Sequence, residues 1–245
     1  MKEFRRLTVA FDTQTHPKDV PAFRGAIAKK VGWEHDWYHN HDNSNPEGKY
    51  IYRYPLVQYK TKKHWKEGEA IHQPMLVFID RIEEAQHFFV QANWDLKIRE
   101  QEHKISISEM KAHQVKVGVY DDTFYYQLKR WMPFNEENYA RYQELQDDEL
   151  ARLQFLEKLL ANHIIGFVKG VKCRLQKPFQ VRIDTIQSTH SLRFEDTKMI
   201  TFNLKFLSNI KLPAHVGIGK AVSRGYGVIL PLRKEKDSWA KAASI

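Results

Sequence analysis

Cysteine is nearly absent: Cys173 stands alone among 245 residues. An internal disulfide and any multi-cysteine zinc site are therefore excluded, and Cys173 reads as a small buried apolar residue. Long hydrophobic runs are missing as well, and no stretch approaches the length needed to cross a bilayer. The opening Met1-Lys2-Glu3-Phe4-Arg5-Arg6 passes into a strand-like alternation without an apolar leader, so the expected location is the cytoplasm and no membrane partner is expected. No low-complexity linker and no internal sequence repeat interrupts the chain, so two halves, if present, should pack together. Glycine is sparse, 11 in all, yet four fall within residues 217–227. Acidic residues are scarce in the last third.

That last scarcity concentrates the net charge of +9. From Glu136 to Glu157 seven acidic residues face two basic ones, whereas from Lys158 to Lys234 fourteen Lys and Arg face three Asp and Glu. A polyanion partner is the natural reading, because each cation that neutralises a phosphate releases a condensed counterion. A solvated basic surface is the alternative. The cations sit among strand-like segments, which argues against a helix lying on a membrane surface.

Periodicity gives the architecture. Arg5 to Asp12 alternates as a strand, and Val20 to Val31 carries Phe23, Ile27 and Val31 at helical spacing behind Pro21. Tyr50 to Tyr59 is β-rich, Met75 to Ile79 is a short apolar strand, and Glu83 to Gln91 reads as a helix. Asp95 to Ile107 and Gln114 to Tyr120 complete a β-α-β-β-α-β order, that of a ferredoxin-like sandwich. A second unit starts with a strand over Thr123 to Trp131 and continues into a long helical region from Glu136 to Val168. Strands at Gln180 to Gln187, Lys198 to Leu207 and Tyr226 to Leu232 follow. The expected fold class is α+β, and a boundary near Gly118 to Asp122 gives domains over 1–120 and 121–245.

Two segments carry chemistry. Gly217, Gly219, Gly225 and Gly227, with Lys220, Ser223 and Arg224 between them, form a loop whose backbone and cations suit phosphate. Ala221 follows Lys220, which excludes a Walker loop, and Val222 stands where a dinucleotide fingerprint needs glycine. A plain turn into the last strand is the other reading. The second segment is Tyr38-His39-Asn40-His41-Asp42, in a polar loop after the first helix. Two imidazoles there suit paired general acid and base work. A metal site completed by Asp42 or His35, or a pair that only caps backbone groups, are the alternatives. His64, His72, His163 and His215 are isolated and default to structural roles. Tyr50, Tyr52 and Tyr54 would share one face of a strand, either packed as core or offered to unpaired bases, with core favoured.

Together, the glycine-rich loop and the His39-Asn40-His41 segment followed by Lys49 to Tyr59 resemble the CRISPR repeat-processing endoribonuclease of the RAMP superfamily, in its paired-histidine subgroup. The resemblance covers nearly the whole chain. It implies two tandem ferredoxin-like domains and a cut within the repeats of precursor CRISPR RNA that needs no metal or other cofactor and leaves a 2′,3′-cyclic phosphate. It makes His39 and His41 the catalytic candidates, with Tyr38, Lys29 and Lys60 as candidate helpers. The glycine-rich loop and the basic residues Lys169, Lys172, Arg174 and Lys177 are the RNA-binding candidates. CRISPR repeat RNA is the implied partner, with effector-complex subunits and a second copy of the chain as further candidates. A non-cleaving RAMP subunit that holds guide RNA is the rival function, and a metal-dependent nuclease a third.

Overall fold

A computed structural model describes residues 1–40, 51–194 and 197–232. The first unit opens with strand β1 (Lys2–Phe11), helix α1 (Val20–Val31) and the hairpin of β2 (Val57–Lys66) and β3 (Glu69–Ile79). Glu67 and Gly68 turn that hairpin with φ of 52° and 83°, the pair of positive values that a two-residue turn of matching twist requires. Helix α1 buries Phe23, Ile27 and Val31 as its spacing predicts, and ends where the Gly32 N–H donates to the Ala28 carbonyl. Helix α2 (Ala85–Phe89) and a small hairpin of β4 (Leu96–Ile98) and β5 (Gln101–His103) lead to β6 (Ile107–Trp131).

Beyond β6 come α3 (Glu136–Glu144), α4 (Glu149–Gly170), β7 (Val181–Phe194), β8 (Thr197–Lys211) and β9 (Val228–Leu232). The single long helix expected over this region is two. Asp148 breaks it, its carboxylate accepting the Ala151 N–H at 2.9 Å to start α4, just as Asn135 caps α3 through the Asn138 N–H at 2.7 Å. Such side-chain caps satisfy donors that a continuous helix would have satisfied internally.

All seven main strands form one antiparallel sheet in the order β2-β3-β1-β6-β8-β7, with β9 also on β6. The 25-residue β6 serves twice. Its first part pairs with β1 and closes the first unit; its second part pairs with β8 and β9 and opens the second. Each unit thus has the strand order fourth-first-third-second of a ferredoxin-like sandwich, and the expected tandem α+β fold is present. The position expected for a boundary, between residues 120 and 121, falls inside β6, where register with β8 slips between Val119 and Phe124.

Two cores follow from two sheet faces. Val9, Phe11, Tyr59 and Phe78 pack under α1 and α2. Phe4, Met75 and Val77, on the opposite face, join Leu160, Ile164 and Phe167 of α4 and Phe202, Leu204 and Phe206 of β8. Cys173 is buried in this second core. Two expected strands differ. Residues 51–56 are not strand, because the Arg53 N–H turns back onto the Ile51 carbonyl at 2.9 Å and Pro55 lacks an N–H to pair. Tyr52 and Tyr54 therefore do not share a strand face: Tyr52 is fully exposed, Tyr54 packs on Phe167 at 5.4 Å between ring centroids, and Tyr50 lies outside the described residues. The strand expected over Asp95 to Ile107 is instead the β4–β5 hairpin, turned at Arg99 with φ 56°.

Candidate functional site

Helix α1 delivers the chain to a short 3₁₀ turn, Asp36–Tyr38, and then to His39. Tyr38, a candidate helper, is buried; its hydroxyl donates to the Glu84 carbonyl at 2.5 Å and its own carbonyl accepts from the Tyr59 hydroxyl at 3.0 Å. Burial pushes this phenol well above its ordinary range. It faces the core. His39 is 2% exposed. Its Nε2 lies 2.8 Å from the Trp33 carbonyl, which can only accept, so that nitrogen is the donor. The Trp33 indole meets the imidazole edge at 5.1 Å, and the Arg24 guanidinium donates to the His39 carbonyl.

Asn40 follows in the left-handed region with φ 58°. Its carbonyl accepts the Ile51 N–H at 3.0 Å, which brings the two ends of the loop together, and its side-chain oxygen accepts from Arg53 Nε at 3.4 Å. His41 and Asp42 lie outside the described residues. His35, the other conceivable metal ligand, stacks on His87 at 3.7 Å. Lys29 is an exposed residue in the last turn of α1.

The glycine-rich loop stands where the second unit would carry its second helix. Between β8 and β9 the regular structure is a 3₁₀ turn, Val222–Arg224. Gly219, Gly225 and Gly227 have φ of 100°, 89° and 63°, so the glycines meet real backbone demands. Three of the four are nevertheless buried: Gly217, Gly225 and Gly227. A Cβ on Gly227 would stand 1.8 Å from the Ile218 carbonyl oxygen, and one on Gly217 2.5 Å from Val222 Cβ. These glycines let the loop cross itself, whereas the surface is left to Gly219, exposed Lys220, and half-buried Ser223 and Arg224.

Lys60, also a candidate helper, lies beneath this loop. It is 1% exposed, and its Nζ donates to the carbonyls of Val222 at 2.6 Å and Tyr226 at 3.3 Å. Burial first, and the Arg130 charge second, hold its pKa down at about 7. Gln58, two residues earlier on the same strand face, accepts the Gly217 N–H at 2.9 Å, while the Tyr54 hydroxyl donates to the Gly217 carbonyl at 2.7 Å. Residues of the first unit thus fix both ends of a loop belonging to the second. Sequence reading missed this clamp, because a polar residue alternating with apolar ones on a strand reads as solvent-facing. Lys60 holds the loop from beneath and does not face solvent.

One cavity, about 680 Å³, joins the two segments. Asn40 and Arg53 line one side, Gly219, Lys220, Ser223 and Arg224 another, and Asn135 at the start of α3 a third. The remaining basic candidates divide. Lys169 and Lys172 line a second groove with Arg53, while Arg174 and Lys177 are exposed elsewhere, Lys177 reaching Asp121 at 3.4 Å. His163 and His215 are held neutral, each down to about 4 by burial first. His163 Nδ1 accepts from the Trp131 indole at 3.3 Å. Among the described residues no three of His, Cys, Asp and Glu converge as a metal site, and no helix is long and apolar enough to cross a membrane.

Family models account for nearly all of the described chain: the Cas6b N-terminal domain matches residues 2–116 and the Cas6b C-terminal domain residues 118–232. The chain belongs to the Cas6b family. A crystal structure of Cas6b is similar with a TM-score of 0.76 and 24% identity, covering 94% of this chain and all of that one. A second, described as the CRISPR RNA processing endoribonuclease Cas6b, reaches 0.66 with 21% identity over the same shares. An uncharacterized protein of Methanocaldococcus jannaschii is 25% identical over 137 residues, 56% of this chain and 91% of its own length. At such identities the Cas6b structures establish the shared fold, and the chemistry must be argued from this chain's own residues.

Proposed function

We propose that this Cas6b chain is an endoribonuclease that cuts precursor CRISPR RNA within its repeats. The observation that carries this reading is the single cavity bordered both by Asn40, the sequence neighbour of His41, and by the cationic tip of the glycine-rich loop. A phosphate held by Lys220, Ser223 and Arg224 lies beside the histidine segment. General acid and base groups then activate the adjacent 2′-hydroxyl and protonate the departing 5′ oxygen, leaving a 2′,3′-cyclic phosphate. Fixed cations and amides stabilise the charge that builds on phosphorus, so no metal is required of the step.

The two histidines take different parts. His41 is proposed to exchange protons with the RNA. His39, almost fully buried with Nε2–H committed to the Trp33 carbonyl, anchors the chain just before it. Family membership and the basic last third support RNA as substrate. The test is digestion of a repeat RNA in chelator, with a 2′-deoxy sugar upstream of the cut as control. Cleavage of the first and resistance of the second is expected. Activity that vanishes in chelator and returns with a divalent ion would overturn the mechanism, and binding without cleavage would leave an RNA-holding subunit.

A further inference from the structure

Arg53 lines two depressions, the loop cavity and a groove of about 710 Å³ on its other side. The groove is formed by Trp37, Arg81 and the end of α4. The Arg53 and Arg81 guanidinium carbons lie 3.5 and 4.5 Å from the centroid of the Trp37 ring. Stacking on an indole holds a guanidinium through its flat face, while the N–H edges here meet protein acceptors, Asn40 and Asp36 for Arg53 and Glu83 for Arg81. The acids nearby are already engaged: Asp80 with Lys2 at 2.6 Å, Glu83 with Arg81 at 3.3 Å, and Asp36 with Arg53 at 3.0 Å. Lys169 and Lys172 line the same groove, are exposed, and have no carboxylate partner among the described residues. The groove is thus cationic beyond its internal pairing and continuous with the loop cavity through one residue.

We propose that this groove is a second RNA contact, in which the strand leaving the loop cavity passes Arg53 and sets its phosphates against Lys169 and Lys172. The proposal rests on the reading of the loop cavity given above. Its chemistry is phosphate recognition without base readout, since the groove offers cations and an already covered indole.

Three uncleavable RNAs test it, each with a 2′-deoxy sugar at the cut: a short one confined to the loop cavity, and the same RNA extended at its 5′ or its 3′ end. The double variant Lys169→Gln, Lys172→Gln should bind the short RNA as the wild type does and bind one extended RNA more weakly. For that RNA the salt dependence should flatten by a slope of about 1.4, about 0.7 for each lost single-strand contact. Unchanged binding of both extended RNAs overturns the groove. So does an equal loss on the short RNA, which would mark diffuse attraction only. A control pair, Lys220→Gln with Arg224→Gln, should weaken all three; if it weakens none, the loop-cavity reading falls and takes this one with it.

Discussion

The two units share one strand order and differ in how they cover it. The first completes its sandwich with α2, whose Ala85 and Phe88 seal the helix-side core by apolar contact. The second has no helix there, only residues 212–227, and the loop is fastened by polar groups of its neighbour: Lys60, Gln58 and Tyr54. A helix satisfies its own backbone, so apolar burial suffices to place it. A loop does not, so its carbonyls and N–H groups must be met by side chains that fix it in one position. The exchange sets the glycine-rich loop next to the histidine segment of the first unit. Under the proposed function, chemistry and grip are divided between the units, and each half of that division can be broken separately.

The largest effect should come from the histidines. His41→Ala should slow single-turnover cleavage by about 10²–10⁴-fold at saturating protein with RNA affinity little changed, whereas Lys220→Gln should lower affinity and leave the saturated rate near wild type. His39→Ala should also slow cleavage, but His39→Gln, which keeps an N–H for the Trp33 carbonyl, should recover most of the rate. If His39→Gln is as slow as His39→Ala, the imidazole itself takes a proton, and the division of roles between the two histidines is wrong.

Next in size is the loop backbone. Gly227→Ala combines a positive φ with a Cβ that would meet the Ile218 carbonyl oxygen. Strain and overpacking together should cost about 2–6 kcal/mol, read from urea denaturation. A shift of the urea midpoint too small for that range would mean that the loop is free to move aside and that its clamp is weak.

What could be read from residues alone follows the same division. Helix Val20–Val31 was legible because Pro21 and an apolar stripe agree, and the glycine-rich segment was legible as special by its density of glycine and cations. Its buried crossing was not, since Gly227 and Ile218 meet only in three dimensions. The burial of Lys60 was hidden for a related reason: alternation locates a strand face but does not say which other segment covers it. Residues 51–56 misled because aromatic content favours strand while one local N–H, that of Arg53, turns the chain. Asp121 and Asp122 looked like a break, yet β6 absorbs them as a slip in register.

The clamp itself should show in pH. An unfolded lysine binds its proton below about 10.4, but burial lowers Lys60 to about 7 in the fold. Between these values the unfolded chain holds the extra proton, so this group's contribution to stability rises with pH from about 7 to about 10.4 and is smallest below 7. Lys60→Met removes the titration and leaves the Val222 and Tyr226 carbonyls without that donor, at a cost of about 1–3 kcal/mol. Denaturation of both proteins across this range should show the rise in the wild type and its loss in the variant. Parallel pH profiles would show that Lys60 keeps an ordinary pKa and that the loop is held by the remaining contacts.

The smallest effect has the opposite sign and uses the same substitution as the loop test. Gly25 lies mid-way along α1, exposed, with no atom within 4 Å of where a Cβ would stand. Here glycine answers no demand of φ or packing, and in a helix interior it is worse than alanine by about 0.5–1 kcal/mol because its unfolded chain is freer. Gly25→Ala should therefore raise the melting temperature by about 1–4 °C without altering RNA binding, since the change adds one methyl group to solvent. A fall in melting temperature would show that something covers that face of α1. Weaker RNA binding with stability intact would place the RNA across the helix, and the first unit would then share the grip as well as the chemistry.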